Sequence, residues 1–184
     1  MYWYKLKSLV ILIFGLVMLT ELQACKPEIK NNDSFDLTGY FKREGALLKK
    51  LNKPVVKTVT HNKVSETKTV HISDWEQEFG FFIESDINKP ALKNSYTVAT
   101  GDGLTLYKAK EKTSTVQELI IKRDGQKIKY ILIFTNSEPK IYGLALYKTN
   151  QRLTYYPDSL YRIETIQHVK LLGTNYDTIE GIIK

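Results

Sequence analysis

The sequence predicts an α+β fold in which two helices pack on a long antiparallel β-meander, a sheet with the length to curve into a half-barrel. Three observations carry this. Helical spacing of apolar residues is confined to two stretches before Pro90. From Tyr96 onward the apolar period becomes two and stays there. The separators between those later runs are too short to join anything but antiparallel neighbours.

The first helix follows from Asp33 or Ser34, either a good cap, with Leu37, Tyr40, Phe41, Leu47, Leu48 and Leu51 on one stripe and Asn52-Lys53-Pro54 as its stop. Gly39 and Gly45 weaken it by about 1 kcal/mol each relative to alanine, so it must dock its apolar face to persist. Val55 to Thr60 and Glu66 to Ile72, rich in valine and threonine around a polar turn, form a hairpin pattern. Ser73-Asp74-Trp75-Glu76 reads as a capping box that launches a second helix, with Trp75, Phe79, Phe82, Ile83 and Ile87 facing the core and Asn88-Lys89-Pro90 ending it.

Strands are expected near Tyr96–Ala99, Leu104–Ala109, Val116–Arg123, Lys127–Thr135, Ile141–Lys148, Arg152–Tyr156, Leu160–Val169 and Asp177–Ile183. Turn chemistry separates them at Gly101-Asp102-Gly103, Asp124-Gly125, Asn136–Pro139, Asn150, Pro157-Asp158 and Gly173-Thr174-Asn175. Asp124-Gly125 between two apolar runs is the strongest hairpin signal.

The N-terminal segment has a different character. Lys5 and Lys7 precede an apolar run from Leu9 to Thr20, about twelve residues and short of the roughly twenty that span a bilayer as a helix. Leu22-Gln23-Ala24-Cys25 resembles the lipobox at which bacterial lipoproteins are cleaved and acylated on cysteine. Gln23 and Glu21 depart from that pattern. Cys25 is the chain's one cysteine. Acylation there would leave no thiol in an oxidising compartment. The expected organisation is a signal peptide over 1–24, a lipidated tether over 25–33 and a single α+β domain over 34–184. The composition, rich in lysine, asparagine, isoleucine and tyrosine, resembles small uncharacterised Bacteroidetes envelope lipoproteins. The order of elements is similar to the half-barrels of envelope lipoprotein carriers. That resemblance implies export and a lipid anchor in the cell envelope, with the outer membrane as the expected location.

The formal net charge is +7, and loss of two lysines and one glutamate with the signal leaves +6. On an exported chain this excludes the genome as a partner and points to anionic surfaces, although scattered lysines also serve as a solvated face. Lys122, Arg123, Lys127 and Lys129 cluster at the Asp124-Gly125 turn as a candidate basic contact patch. The same lysines would protect a sheet from edge-to-edge pairing.

Tyr130-Ile131-Leu132-Ile133-Phe134 is apolar at every position, so both faces of that strand are expected to be covered. One face takes the helices. The other is covered by the sheet itself or lines a hydrophobic ligand. Tyr142, Leu144 and Leu146 fall on one face of their expected strand.

Catalytic and metal patterns are missing from the sequence. His61, His71 and His168 have no zinc spacing, and Gly-x-Ser-x-Gly and His-Glu-x-x-His do not occur. Gly101-Asp102-Gly103 opens no helix and reads as a turn. Glu118, Glu164 and Glu180 stand on strands with no spacing that makes them a catalytic pair. The expectation is a non-enzymatic protein without cofactor, attached to a membrane through its anchor. Two roles are open, an interaction or accessory subunit with an envelope protein partner, and a carrier or sensor of a lipid-like ligand. A filled core with exposed apolar surface would favour the first, and a continuous apolar cavity the second.

Overall fold

The computed structural model describes residues 34–92, 94–142 and 144–184, with Lys140 and Ile141 described as backbone. In chain order the elements are α1 (Leu37–Leu51), β1 (Val55–His61), β2 (Val64–Val70), α2 (Trp75–Glu78), α3 (Gly80–Glu84), a 3-10 turn (Pro90–Leu92), β3 (Tyr96–Gly101), β4 (Leu104–Ala109), β5 (Val116–Asp124), β6 (Lys127–Ser137), β7 (Lys140–Ile141), β8 (Leu144–Ala145), β9 (Tyr147–Tyr156), β10 (Leu160–Val169) and β11 (Gly173–Ile183). Nine strands make one antiparallel sheet in the order β2-β1-β11-β10-β9-β6-β5-β4-β3. β2 and β3 are its opposite edges, so the sheet is open. The chain that joins them, carrying α2 and α3, must cross the full width of the sheet.

Register aligns side chains across this width. Lys57, Gly181, Tyr161, Tyr155, Ile131 and Ile121 form one row, and Val59, Ile179, Ile163, Leu153, Ile133 and Leu119 the next. The helices contribute Leu37, Phe41, Leu48, Trp75, Phe79 and Phe82 to the same buried cluster as Ile131, Ile133, Leu153 and Tyr155. Phe41 lies at its centre, with ring centroids of Phe79, Phe82 and Tyr155 at 5.1, 4.7 and 5.0 Å. Such contacts add directional preference to simple area burial.

Several local expectations are corrected. The cap of α1 is Asp36, whose Oδ1 accepts from the Gly39 N–H at 2.7 Å, instead of Asp33 or Ser34. Leu47 and Leu51 of the expected stripe are about half exposed, while Leu37, Phe41 and Leu48 are buried. Gly45 is a packing residue, because a Cβ there would stand 3.0 Å from Trp75 Cβ.

The second helix is capped by Asp74, which accepts from the Gln77 N–H at 3.0 Å, and not by Ser73. Glu76 does not reach back to the cap; it pairs with Lys42 at 3.0 Å. The expected single helix is split into α2 and α3 at Phe79, whose φ of −89° and ψ of 11° leave the helical basin. Gly80 follows and tolerates the break. The aromatic stripe survives because both pieces face the same core.

Three strand expectations also move. The expected strand Ile141–Lys148 is a small β7–β8 hairpin and the start of β9, since Tyr142 turns the chain with a φ of 50°. Asn150, expected as a separator, lies within β9 and pairs with Asn136 and Ile166. Likewise Gly173-Thr174-Asn175 is assigned to β11, the turn starting earlier with Leu171 at a φ of 74° and closing at Gly173 with a φ of 98°.

Candidate functional site

The two faces of β6 have unequal surroundings. Ile131 and Ile133 are fully buried under the helices. Tyr130, Leu132 and Phe134 point to the opposite face and are half-buried, so that face is not fully covered as the sequence suggested. Tyr130 packs against Tyr156 with ring centroids 5.8 Å apart, and the Arg152 guanidinium stands 6.0 Å from the Phe134 centroid. Beside them is a shallow depression of about 450 Å³ lined by residues including Phe134, Asn136, Asn150, Arg152, Glu164 and Ile166. Asn136 Oδ1 is buried there with no hydrogen-bond partner among the described residues.

Three cross-strand ion pairs lie on this helix-free face. Arg152 approaches Glu164 at 3.8 Å, Lys108 approaches Glu118 at 3.1 Å, and Arg162 binds Glu180. Such exposed ladders fix register more than they stabilise.

Around the Asp124-Gly125 turn the four basic residues are partly engaged. Lys129 pairs with Asp124 at 3.2 Å, Lys122 donates to the Asp102 carbonyl, and Arg123 covers the Phe35 ring at 5.3 Å. Lys127 is exposed. The contact of Arg123 with Phe35 places the beginning of the described chain near this hairpin. Cys25 lies outside the described residues, as does the segment 1–24.

Two glutamates that the sequence did not single out lie between helices and sheet. Tyr155 donates to Glu44 Oε2 at 2.7 Å, and Tyr161 donates to Glu78 Oε1 at 2.5 Å. Lys57 Nζ reaches both oxygens of Glu78, at 2.7 and 2.8 Å. Burial raises the Glu44 pKa above the ordinary carboxylate value, partly offset by its Tyr155 bond. The Tyr155 phenol is pushed up by burial and then by the Glu44 charge, and the Tyr161 phenol by burial and then by its bond to Glu78. These perturbations arise from structural contacts at the helix–sheet seam. The sequence signal was present in Glu44, one helical turn after Tyr40 and one before Leu48, but a glutamate beside a buried stripe ordinarily points to water.

Past the helices, the same sheet face continues as a polar strip. Thr135 donates to Gln151, and Gln151 donates to Thr165, at 3.3 and 3.2 Å. A cleft of about 270 Å³ there is lined by Ser85, Asp86, Lys89, Thr135, Thr149 and Gln151, among others. His61 does not meet His71; its Nδ1 pairs with Asp177 at 2.6 Å. No group of three or more potential metal ligands occurs among the described residues. Nor is any described helix long and apolar enough to cross a membrane.

Comparison with protein-family models finds no match to this chain. Searches of curated proteins and of solved structures likewise return no significant match.

Proposed function

We propose that the chain is a non-catalytic cell-envelope lipoprotein, acylated on Cys25, that serves as an interaction or accessory subunit by presenting its helix-free sheet face to an envelope protein. This reading includes a signal peptide over 1–24, a tether over 25–33, an outer-membrane location and kinship with small Bacteroidetes lipoproteins. The observation that carries it is the contrast across β6. Ile131 and Ile133 have no exposed surface, whereas Tyr130, Leu132 and Phe134 on the reverse face retain theirs.

A lipid-like guest between helices and sheet would need the space that Phe41, Phe79, Phe82 and Tyr155 occupy. The helix-free face instead offers aromatic and arginine side chains around a shallow depression, chemistry enriched at protein interfaces. The basic hairpin lies near Phe35, where a tether from Cys25 would enter, and adds a charged contact patch to the surface offered to a partner.

Two measurements test the reading. Metabolic labelling with a fatty-acid analogue should mark the wild type and not Cys25→Ser. A photo-crosslinking residue at Tyr156, on the helix-free face, should give one discrete protein adduct in intact cells, while the same residue at Leu47, exposed on α1, should not. Equal adducts from both positions, or a stoichiometric apolar molecule extracted from gently purified protein, would overturn the subunit role.

A further inference from the structure

The end of the sheet opposite the basic hairpin carries apolar residues where turns ordinarily carry polar ones. Seven described non-glycine residues have positive φ, and five of them are Asn or Asp, the types that tolerate this conformation. The other two are Tyr142 and Leu171. Both are at this end, and both are fully exposed, at 101% and 99%. Bulky residues are strained in the left-handed region, and strain persists where the surrounding structure imposes it. Here the strain displays an aromatic and an aliphatic side chain to solvent.

The β10–β11 turn is tied to the chain that follows Tyr142. Val169 pairs with Tyr147, and the Lys170 N–H donates to the Leu146 carbonyl at 3.0 Å, which ties the β10–β11 turn to the β8–β9 connection. Leu144, Leu146 and Leu172 are also exposed, at 63%, 43% and 85%. Together these exposed residues make this end of the sheet apolar, a tip about 35 Å along β6 from the basic hairpin. Lys148 and Lys170 flank it, both exposed and in no ion pair among the described residues.

We infer that this tip inserts into the surface of an anionic lipid bilayer. Protruding leucines with a tyrosine beside them suit the boundary between head groups and acyl chains, and unpaired lysines behind them suit anionic head groups. A bilayer requires only apolar side chains at its surface and basic ones beside them, which the exposed leucines and the two lysines supply. This contact is separate from the helix-free face and independent of whether Cys25 is acylated.

The test uses the full chain with Cys25→Ser, so that an introduced thiol is unique, and a polarity-sensitive fluorophore on Leu171→Cys. Vesicles contain lipids with brominated acyl chains, with or without phosphatidylglycerol in phosphatidylcholine. On phosphatidylglycerol vesicles the fluorophore should shift to the blue and be quenched several-fold more than one on Lys127→Cys at the opposite end. Tyr142→Cys serves as a second tip position should Leu171→Cys fail to fold. Reversal of Lys148 and Lys170 to glutamate should weaken tip quenching by at least about fivefold per lysine. A tip fluorophore that stays in water on vesicles that sediment the protein, or equal quenching at both ends, overturns the inference. So does a tip shielded by an added protein and not by lipid.

Discussion

Tyr155 and Tyr161 stand opposite one another on β9 and β10, and each donates its phenol to a glutamate of the helical layer, Glu44 on α1 and Glu78 on α2. The sheet thereby holds two separate helices by adjacent polar bolts set within an aromatic core. Their surroundings differ. Glu78 also has Lys57, whereas Glu44 depends on Tyr155 for its one described side-chain hydrogen bond. Tyr155→Phe should therefore cost about 1.5–3 kcal/mol, the range for bonds to charged groups. Tyr161→Phe should cost about 1 kcal/mol, because Lys57 still satisfies Glu78. Urea midpoints at constant slope check the order of the two.

The same bolts set the alkaline limit of the fold. Tyr40, Tyr155 and Tyr161 all have phenol pKa values raised, in each case first by burial. A group whose folded pKa lies above its unfolded value gives stability that is complete below the unfolded pKa, near 10 for tyrosine, and is lost as pH rises beyond it. Stability should consequently fall above about pH 10. An ultraviolet titration should show these three, and Tyr96, whose phenol burial also raises, resisting ionisation until the protein unfolds, among twelve tyrosines in all. A smooth titration of all tyrosines with the fold intact would contradict the buried assignment.

Gly181 is fixed by the ring beside it. It pairs with Tyr161 across β10 and β11, and a Cβ at this position would lie 2.1 to 2.3 Å from ring atoms of Tyr161. The aromatic ring covers the glycine, a cross-strand arrangement that compensates for the missing side chain. Gly181→Ala should displace the ring, weaken the Glu78 bond and cost roughly 1–3 kcal/mol as an overpacking change. The cost should largely vanish in a Tyr161→Ala background, where the obstructing ring is gone. A double-mutant cycle from thermal or denaturant unfolding measures this coupling.

Capping at α2 separates two adjacent polar residues. Asp74 carries the hydrogen bond to Gln77, and Ser73 is exposed. Asp74→Ala should cost about 1 kcal/mol and Ser73→Ala no more than about 0.5 kcal/mol. Trp75→Ala, by contrast, removes a side chain 3% exposed against Phe79 and Tyr161, and should cost about 3–5 kcal/mol. Denaturant midpoints of the three variants rank them directly.

Legibility in the sequence followed the range of the forces involved. The period-two runs and the Asp124-Gly125 turn are local signals, and the antiparallel sheet was readable from them. The stripe of Trp75, Phe79 and Phe82 was readable because burial acts on composition at fixed spacing. The pairing of β1 with β11 was not, since nothing local joins Val55 to Ile183. Nor could a pattern of residue types foresee that the turn would start before the triplet, with Leu171 as well as Gly173 at positive φ. The central strand was identified, but a run apolar at every position could not say which face the helices would fill.

That asymmetry makes neighbouring substitutions in β6 diverge. Ile131 has no exposed surface and faces Tyr155 across the strand pair, with the helical aromatics above. Ile131→Phe should overpack this core and cost roughly 1–3 kcal/mol. Leu132, one residue later, points to the helix-free face and is half-buried. Leu132→Phe has room to lie toward solvent beside the Tyr130–Tyr156 pair, and its effect on stability should stay within about 0.5 kcal/mol. If this face meets a protein, Leu132→Phe should instead reduce the yield of the Tyr156 crosslink while leaving the urea midpoint in place. A variant pair with the opposite pattern, a stable Ile131→Phe and an unfolded Leu132→Phe, would mean that the helices cover the other face of the sheet and that the docking face has been assigned to the wrong side.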